Sequence, residues 1–334
     1  MLASGEEVNG VRIVRVWSTR FGRAGLFGRA IDYATFYVSA FFAIRRHRRD
    51  AVVVPMTDPP LISVIAAAAA PRVVNWVQDL FPEVAEGLGI RVPRFVRKLR
   101  DWSLRHAKKN VVLGARMAEH VPNATIIHNW ADAALRPVSR EWGQTLSPAP
   151  REGSDPSAFV VGYSGNFGRA HEFDTILAAS QRLPHIRFLF IGGGAKLDDV
   201  KRRAGANATF LPYQPREALS ESLSVADVHL VSLQPQLEGL IVPSKFYGVL
   251  AVGRPVVFIG ARDGELARII DEHRCGIVVE PGNVDGLTRA LTELASDRQR
   301  TAEMGRRGLD AYRAHFAPQH AFAAWERVLH EARA

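Results

Sequence analysis

The stretch that decides the fold is FVVGYSGNFGRAHEF, residues Phe159–Phe173. It begins with the apolar run Phe159–Val161, which is typical of a buried parallel strand. Small residues follow, and these are Gly162, Ser164, Gly165 and Asn166. From Glu172 the apolar residues recur at helical spacing. A strand, a glycine-containing turn and a helix in that order direct free backbone N–H groups at a phosphate, although an ordinary tight turn would explain the same glycines.

The chain has 334 residues, enough for two domains, and its net charge of +9 is unevenly distributed. Residues 1–137 carry 20 Lys and Arg against 11 Asp and Glu, whereas the remainder carries 23 of each kind. The positive charge of the first part therefore favours binding to an anionic membrane surface or to a phosphorylated ligand. A basic face that is merely solvated is the alternative. Nucleic acid is the weaker interpretation, because the basic clusters lack interleaved aromatic residues and no binding signature occurs.

The cysteine content and the apolar runs bear on the cellular location of the protein. The single cysteine, Cys275, excludes a disulfide within the chain and suits the cytosol, and no Cys/His cluster has metal-ligand spacing. The start of the chain is polar, with Glu6, Glu7 and Asn9 after Gly5, and shows no secretory signal. The longest apolar run, Tyr33–Ile44, has 12 residues, fewer than the ~20 that span a bilayer. It ends at the basic cluster Arg45–Arg49, so it predicts either an interfacial helix or a core helix with a cationic last turn.

The order of elements predicts an α/β architecture. The first part predicts strands at 11–17, 51–55, 73–77, 110–113 and 125–127, with helices at 31–48, 61–70, 92–108 and 114–120. The second part predicts strands at 158–162, 187–191, 208–211, 228–232, 255–259 and 276–280. It predicts helices at 172–182, 196–204, 215–224, 244–252, 264–273, 284–296, 298–314 and 318–332. Prolines and serines favour a domain boundary near 137–155. This order predicts two Rossmann-like, doubly wound domains in series. Ligands are expected at the carboxyl ends of the strands and in the cleft between the domains.

A second motif is VPSKFYGVLAVGRP, residues 242–255. Ser244 is a candidate to cap the helix that begins there. Lys245 in its first turn opposes the helix macrodipole, which is unfavourable unless an anion binds at that end or the lysine reaches away over the surface. Tyr247 could stack on a ligand or hydrogen-bond to it.

Further candidate residues stand at strand ends. Gly193, within Gly192–Gly194, allows a ligand to approach the backbone. Glu265 is either a favourable first-turn acid or an acceptor for ribose or sugar hydroxyls. In the run QDLFPE, Asp79 and Glu83 form a plausible acid/base pair, whereas Asp58 is interpreted as a turn residue.

Together the GYSGNFGRAHEF, VPSKFYGVLAVGRPVVFIG and QDLFPE motifs resemble retaining glycosyltransferases of group 1 (family 4). The branch that builds bacterial exopolysaccharide, O-antigen and colanic-acid-type chains is the most similar. The resemblance covers about residues 11–330. It implies the GT-B fold, with an acceptor-side domain at 1–140, a nucleotide-sugar-binding domain at 155–316 and a helix at 317–334 that crosses back to the first domain.

The resemblance also implies roles for residues. Gly165 and Asn166 line the donor diphosphate with Arg169 near them, and Ser244 with Lys245 neutralises the leaving group. Tyr247 and Glu265 hold the nucleotide or sugar, and Asp79 and Glu83 lie on the acceptor side. His171 stands near the position where many relatives carry a lysine. Its charge would fade through a pKa of ~6.5, so donor affinity would weaken between about pH 6 and 8.

Two departures from the family pattern stand out. Many members carry two glutamates eight residues apart, where this chain has Leu240 and Gly248, so Glu238 or Glu265 would have to compensate. The family also begins with a strand, a glycine loop, a helix and a second strand, and these make up about 60 residues that are expected to precede the start of this chain. The first domain is therefore expected to be incomplete at its N-terminus.

The expected activity is transfer of a sugar, with retention, from a nucleotide-diphosphate sugar to a lipid-diphosphate-linked glycan. No cofactor is expected, and no metal either, because the chain lacks an Asp-x-Asp pair and Lys, Arg and N–H groups can stabilise the leaving group. The protein would lie peripherally on the cytoplasmic face of the cell membrane. Two alternatives stay open: a sugar-nucleotide epimerase of the same fold, and a non-catalytic nucleotide-binding subunit that needs a partner.

Overall fold

The computed structural model describes residues 6–22, 26–48, 51–138 and 158–334. The chain divides into two compact units. The first comprises Met1–Leu113, Met117–Ile127 and Ala324–Ala334, and the second comprises Gly114–Arg116 and His128–Ala323. Most of the boundary predicted at 137–155 lies outside the described residues, as do Gly5 and Arg49.

The first unit is built around a parallel sheet of short strands. The elements from the N-terminus to Ile126 are β1 (Glu6–Val8), β2 (Val11–Ile13), α1 (Leu26–His47), α2 (Ile62–Ala69), β3 (Val74–Trp76), α3 (Glu83–Gly87), α4 (Arg94–His106), β4 (Lys109–Val112), α5 (Ala115–Ala118) and β5 (Ala124–Ile126). Strand β4 lies between β3 and β5 and is parallel to both. Its valines, Val111 and Val112, are fully buried, as is Val74 of β3, which explains the continuous apolar pattern of these strands.

Two strands predicted in the first part are shorter than expected. The alternating run at 11–17 forms only β2, which pairs with β1 as an antiparallel hairpin. The hairpin is largely exposed, so no buried face extends its alternating pattern. The run at 51–55 contributes a single parallel bridge, between Val53 and Val73. Helix α3 has 5 residues and was not predicted, because one helical turn is too short to display a period.

The second unit contains a six-stranded parallel sheet. Its elements are β6 (Val160–Asn166), α6 (Asp174–Arg182), β7 (Arg187–Gly193), α7 (Leu197–Arg203), β8 (Ala208–Leu211), α8 (Leu219–Ser224), β9 (Val228–Ser232), α9 (Lys245–Ala251), β10 (Val256–Ile259), α10 (Glu265–His273), β11 (Gly276–Val279), α11 (Val284–Ser296), α12 (Arg298–Ala311) and α13 (Pro318–Arg333). The strand order is β11-β10-β9-β6-β7-β8. The six predicted strands are confirmed, and the sheet is doubly wound as expected.

The order of the strands reverses at β6. From β6 the chain proceeds outward through β7 and β8, then returns to place β9 on the other side of β6. Such a switch point leaves a crevice outside the carboxyl ends of the two strands that flank it, and ligands of open α/β sheets bind there. The topology therefore draws attention to the end of β6, where Gly165 and Asn166 lie.

The last helix is divided between the two units. Within the first unit, the Trp325 ring packs against Trp76 with centroids 5.3 Å apart. Glu331 of the same helix pairs with Lys109 at 3.3 Å. Across the described ranges, no helix combines the length and apolar content needed to cross a bilayer.

Candidate functional site

Glycines at the carboxyl ends of β6 and β7 form the floor of the candidate site. Gly165 pairs in register with Gly192, and Asn166 pairs with Gly193. Gly165 and Gly192 both have φ of +135°, a conformation that is costly for residues with a Cβ. A Cβ on Gly192 would overlap the Gly165 carbonyl oxygen. Strand β6 thus continues to Asn166, not to 162 as predicted, and the turn begins only at Phe167.

Lys245 is the cation nearest this floor. It is the first residue of α9, and its Nζ donates a hydrogen bond to the Tyr163 hydroxyl at 2.7 Å. A Cβ on Gly165 would lie 3.3 Å from Nζ, so the lysine lies directly against the glycine. Gly165 comes from the first of the two sequence motifs and Lys245 from the second, so the motifs that the site prediction joined meet at one place in the fold.

The ammonium group of Lys245 is poorly solvated. Burial lowers its pKa to about 7. In the described part of the chain, no carboxylate pairs with it. Its compensation comes from the Tyr163 hydroxyl and from the Tyr163 ring, whose centroid lies 3.9 Å from Nζ. A desolvated cation without a counter-ion favours binding of an anion at this position.

Tyr163 is a site residue that the sequence prediction missed. Its hydroxyl donates to the Asn166 carbonyl oxygen at 2.8 Å while it accepts from Lys245. The side chain is buried, and burial raises the pKa of the phenol. The available signal was a polar hydroxyl within an otherwise apolar strand, since a buried tyrosine normally has a hydrogen-bond partner.

Lys196 and Arg169 add positive charge around the same loop. Lys196, which the prediction also missed, donates from Nζ to the His171 carbonyl oxygen at 3.1 Å. Its signal was its position two residues after Gly192–Gly194 and immediately before α7. Arg169 is exposed and forms no ion pair within the described residues. Lys245, Lys196 and Arg169 thus lie on or beside one loop. The expectation that Arg169 lies near the donor diphosphate stays a prediction.

His171 does not carry the expected charge. Its Nδ1 donates to the Ser232 carbonyl oxygen at 2.6 Å. Burial lowers the pKa of His171 to about 4, and the positive charge of Lys245 adds to that shift. The imidazole is therefore neutral from pH 6 to 8, and the expected loss of charge over that range is wrong. A role in donor binding would use its neutral Nε2, which accepts hydrogen bonds from hydroxyl groups.

Two predictions for the motif at 242–255 are wrong in detail. Ser244 precedes α9 with helical dihedral angles, and its side chain makes no capping hydrogen bond. Tyr247 is fully buried against Phe246 and Phe316, which contradicts direct contact with a ligand. Burial and the negative charge of Glu265 raise the pKa of its phenol. Within the described residues, its hydroxyl has no hydrogen-bond partner.

Two carboxylates lie together at the start of α10: Glu265 is buried and Glu238 is half-buried. Glu238 accepts the Glu265 backbone N–H at 2.9 Å, and this caps the helix. The Glu265 carboxylate accepts the Arg116 backbone N–H at 3.2 Å and pairs with Arg268 at 3.1 Å. Burial raises the pKa of Glu238, and the backbone N–H groups it accepts oppose that shift. Both carboxylates already accept hydrogen bonds from groups of the protein. The contact of Glu265 with ribose or sugar hydroxyls stays a prediction.

The two predicted acids of the first unit have different surroundings. Glu83 accepts two hydrogen bonds from the nearly buried Arg100 guanidinium, at 2.8 and 2.5 Å, which favours a structural role over the predicted catalytic one. Asp79 is exposed, and its backbone N–H donates to Thr57. Water is displaced around its carboxyl group, which raises the pKa of Asp79, and the charge of Asp58 adds to the shift. Asp58, interpreted from sequence as a turn residue, is thus electrostatically coupled to Asp79.

The described residues contain no group of three or more His, Cys, Asp or Glu side chains arranged to hold a metal ion.

Comparison with known proteins places these features in a family. Residues 158–297 match the family model "Glycosyl transferases group 1". The chain is 32% identical over 272 residues to WbjE of Pseudomonas aeruginosa, named as a probable glycosyltransferase, covering 75% of this chain and 67% of that protein. It is 24% identical over 298 residues to WcaI of Escherichia coli K12, which is named for colanic acid biosynthesis glycosyl transfer, covering 79% of this chain and 72% of that protein.

Solved structures agree in fold. A sucrose-phosphate synthase from Thermosynechococcus elongatus superposes with a TM-score of 0.77 at 14% identity, covering 97% of this chain and 84% of that one. HepE of Anabaena, in complex with UDP and glucose, gives a TM-score of 0.68 at 15% identity, covering 91% and 83%. These neighbours confirm the predicted GT-B fold class. With the parallel sheets described above and the relative at 32% identity, the chain belongs to the group 1 glycosyltransferases.

Proposed function

We propose that the chain transfers a sugar, with retention of configuration, from a nucleoside-diphosphate sugar to a lipid-diphosphate-linked glycan. The observation that carries the proposal is the desolvated Lys245 ammonium group lying against Gly165 without a carboxylate partner among the described residues. A donor diphosphate would supply the missing negative charge. The solved neighbour HepE, crystallised with UDP and glucose, supports a donor of this class.

The chemistry follows from where negative charge develops. As the bond between the sugar and the diphosphate breaks, charge accumulates on the departing phosphate oxygens. A cation that is fixed in place before the reaction stabilises that charge without the cost of reorganisation. In the proposed site, Lys245 supplies this cation, and Lys196 and Arg169 add to the positive potential of the loop. No step requires a metal ion or an organic cofactor.

The acceptor and the membrane belong to the same proposal. The names of the relatives WbjE and WcaI support a role in building a cell-surface polysaccharide. The first unit carries the excess positive charge, and apolar side chains are exposed near its arginines. On α4, Phe95 and Leu99 are 62% and 40% exposed, with Arg94 and Lys98 beside them. Such a surface favours peripheral binding to anionic lipid on the cytoplasmic side.

The test is titration of donor nucleotides. Calorimetric titration with a panel of nucleoside diphosphates identifies the base that the native protein binds. We expect Lys245→Ala to weaken that binding about tenfold or more, and Arg169→Ala to weaken it less, since charged hydrogen bonds contribute about 1.5–3 kcal/mol when buried. The matched control is Lys201→Ala, an exposed lysine on α7 whose ammonium group lies over the Phe210 ring.

Unchanged affinity in both variants would remove the site assignment. With donor bound, product should form only when a glycan acceptor is supplied. Conversion of the donor sugar without acceptor would instead indicate an epimerase, and binding without any turnover would indicate a non-catalytic subunit.

A further inference from the structure

A cavity of about 510 Å³ opens at the amino ends of the strands in the first unit. Its volume falls within the range of small-molecule binding sites. Three cationic side chains line it together with Pro71 and Ala334, and these are Arg48, Arg72 and Lys108. We call it the basic cavity.

The basic cavity lies at the opposite end of the sheet from the expected substrate site. Arg72 comes two residues before β3, and Lys108 comes immediately before β4. Ligands of open α/β sheets bind outside the carboxyl ends of the strands, which is the end where Asp79 follows β3. A ligand in the basic cavity would therefore be a further molecule, distinct from the sugar donor and from the glycan acceptor.

Two of these cations have no acidic partner in the part of the chain that the structure describes. Arg48 is half-buried, and its Nη1 donates to the Ala69 carbonyl oxygen at 3.5 Å, which is a long contact for a hydrogen bond. Lys108 is exposed. Among the described residues, no side-chain carboxylate pairs with Arg48 or with Lys108. An α-carboxylate at Ala334 would offset only one of the three positive charges of the lining.

Helix ends account for some of this positive charge but not for all of it. Four helices end at the cavity, because each of α1, α2, α4 and α13 is followed within three residues by one that lines it. The carboxyl end of a helix attracts cations. Three of these helices already carry basic residues in their last turns, and these are Arg45, Arg46 and His47 in α1, Arg105 and His106 in α4, and His330 and Arg333 in α13. Only α2 lacks them, and Arg48 reaches the carbonyl group of its last residue. The cations that line the cavity therefore exceed what the helix ends require.

An excess of positive charge around one cavity suits a phosphate group. A phosphate monoester carries about 1.5 to 2 negative charges near pH 7. Each planar guanidinium can donate two parallel hydrogen bonds to phosphate oxygens, and a lysine ammonium group adds a point charge. Among the described residues that line the cavity, no aromatic side chain offers a surface for a base, which disfavours a single-stranded nucleic acid.

We propose that the basic cavity binds a phosphate monoester group, at a site separate from the donor and acceptor sites. Its cations lie on segments that are far apart in the chain, just beyond the ends of α1, α2 and α4. A phosphate held between these segments ties them together, so its binding stabilises the folded state. The group belongs to a soluble metabolite or to a lipid headgroup, since both present the same phosphate to the cavity. The assignment does not depend on the proposed function.

Glycerol 3-phosphate is the probe, because it is a small phosphate monoester whose structure also occurs in lipid headgroups. Calorimetry in phosphate-free buffer should detect its binding to the native full chain, and the binding should raise the Tm. We expect Arg48→Gln with Lys108→Gln to weaken that binding about tenfold or more, because charge-assisted hydrogen bonds are lost. The matched control is Arg105→Gln with Lys201→Gln, which removes one arginine and one lysine from exposed positions outside the cavity. The control should change the affinity less than about twofold, since exposed charges at a distance are screened by salt. Without ligand, both double variants should keep a Tm close to that of the native protein, which verifies that they are folded.

A further variant separates the basic cavity from the proposed donor site, which also attracts anions. Lys245→Ala should leave the binding of glycerol 3-phosphate unchanged. If that binding is instead lost in Lys245→Ala and kept in the cavity variant, the probe occupies the donor site and the assignment is overturned.

Vesicles distinguish the two sources of the phosphate. Co-sedimentation with phosphatidylcholine vesicles, with and without phosphatidic acid, is measured for the native protein and both double variants. If glycerol 3-phosphate binds and the cavity variant loses that binding, the ligand is a soluble metabolite. If only phosphatidic acid vesicles bind, and the cavity variant loses that binding while the control keeps it, the ligand is a lipid headgroup. Binding of neither probe, or equal binding by the cavity variant and the control, would overturn the assignment.

Discussion

The hydroxyl group of Tyr163 joins Lys245 to the end of strand β6. It accepts a hydrogen bond from the lysine Nζ at 2.7 Å and donates one to the Asn166 carbonyl oxygen at 2.8 Å. Since a phenol has one hydrogen to donate, both directions are determined by this arrangement. The lysine is thereby held over Gly165 even though no carboxylate in the described residues neutralises it. The position of the cation in the proposed donor site thus depends on a tyrosine in the sheet.

Donor affinity should fall as the pH rises above about 7. Burial lowers the pKa of Lys245 to about 7, and a bound diphosphate favours the charged form. Binding above that pH must therefore take up a proton, and affinity falls by up to about tenfold per pH unit. The measurement is a calorimetric titration with the nucleotide sugar from pH 6 to 9, because its diphosphate has no terminal phosphate ionisation near pH 6.

Two variants separate the lysine from the histidine. Lys245→Arg keeps its charge throughout and should show no such decline. His171→Gln should retain the decline, because the imidazole is already neutral at these pH values. A pH dependence that disappears in the histidine variant would contradict the assignment to Lys245.

The two buried tyrosines should respond oppositely to loss of their hydroxyl groups. Tyr163→Phe removes the hydroxyl that hydrogen-bonds to the Asn166 carbonyl and to the Lys245 ammonium group, so we expect it to lower the free energy of unfolding by about 1–2 kcal/mol. Tyr247→Phe removes a hydroxyl that has no partner among the described residues, so it should be neutral or slightly stabilising. Urea denaturation of both variants measures this difference, and equal destabilisation would refute it.

Gly192→Ala should disrupt the floor of the donor site. The new methyl group would overlap the Gly165 carbonyl oxygen at a φ of +135°. We expect a loss of about 3 kcal/mol or more in the free energy of unfolding. Gly282→Ala is the control, since Gly282 also has positive φ but no atom lies within 4 Å of its added Cβ. It should cost only about 1–2 kcal/mol. Thermal or urea unfolding that ranks the two variants equally would show that the close contact is not decisive.

The acids of the first unit should separate into one structural and one functional residue. Glu83→Gln weakens the pairing with the nearly buried Arg100, so it should destabilise the protein by about 2 kcal/mol or more. Asp79→Asn should leave stability nearly unchanged but lower kcat with acceptor, while donor affinity stays the same. Unfolding curves and steady-state kinetics test both. A stable Glu83→Gln variant with no turnover would restore the catalytic role predicted from the sequence.

Local pattern determined much of the fold. The second unit shows its six strands where the apolar runs predicted them, because strands buried on both faces are continuous in Val, Ile, Leu and Phe. The family followed from residues of fixed spacing, above all Gly165 and Lys245. The prediction failed where an element was exposed or too short to show a period. The strand predicted at 11–17 ends at Ile13 because it is largely exposed, and helix α3 was missed because it has only 5 residues.

The chemical state of the site was decided by the tertiary structure. The sequence placed His171 and Lys245 in the site, but only packing shows that burial leaves the histidine neutral and brings the lysine pKa to about 7. The sequence predicted Tyr247 as a ligand-binding residue, but in the fold it belongs to the hydrophobic core. Tyr163 lies in a strand that the sequence predicted as buried, and in the fold its hydroxyl group holds Lys245. The physical reason is that periodicity reports only neighbours along the chain. Desolvation, hydrogen-bond partners and the charges that shift a pKa come from residues far apart in sequence that the strand order brings together.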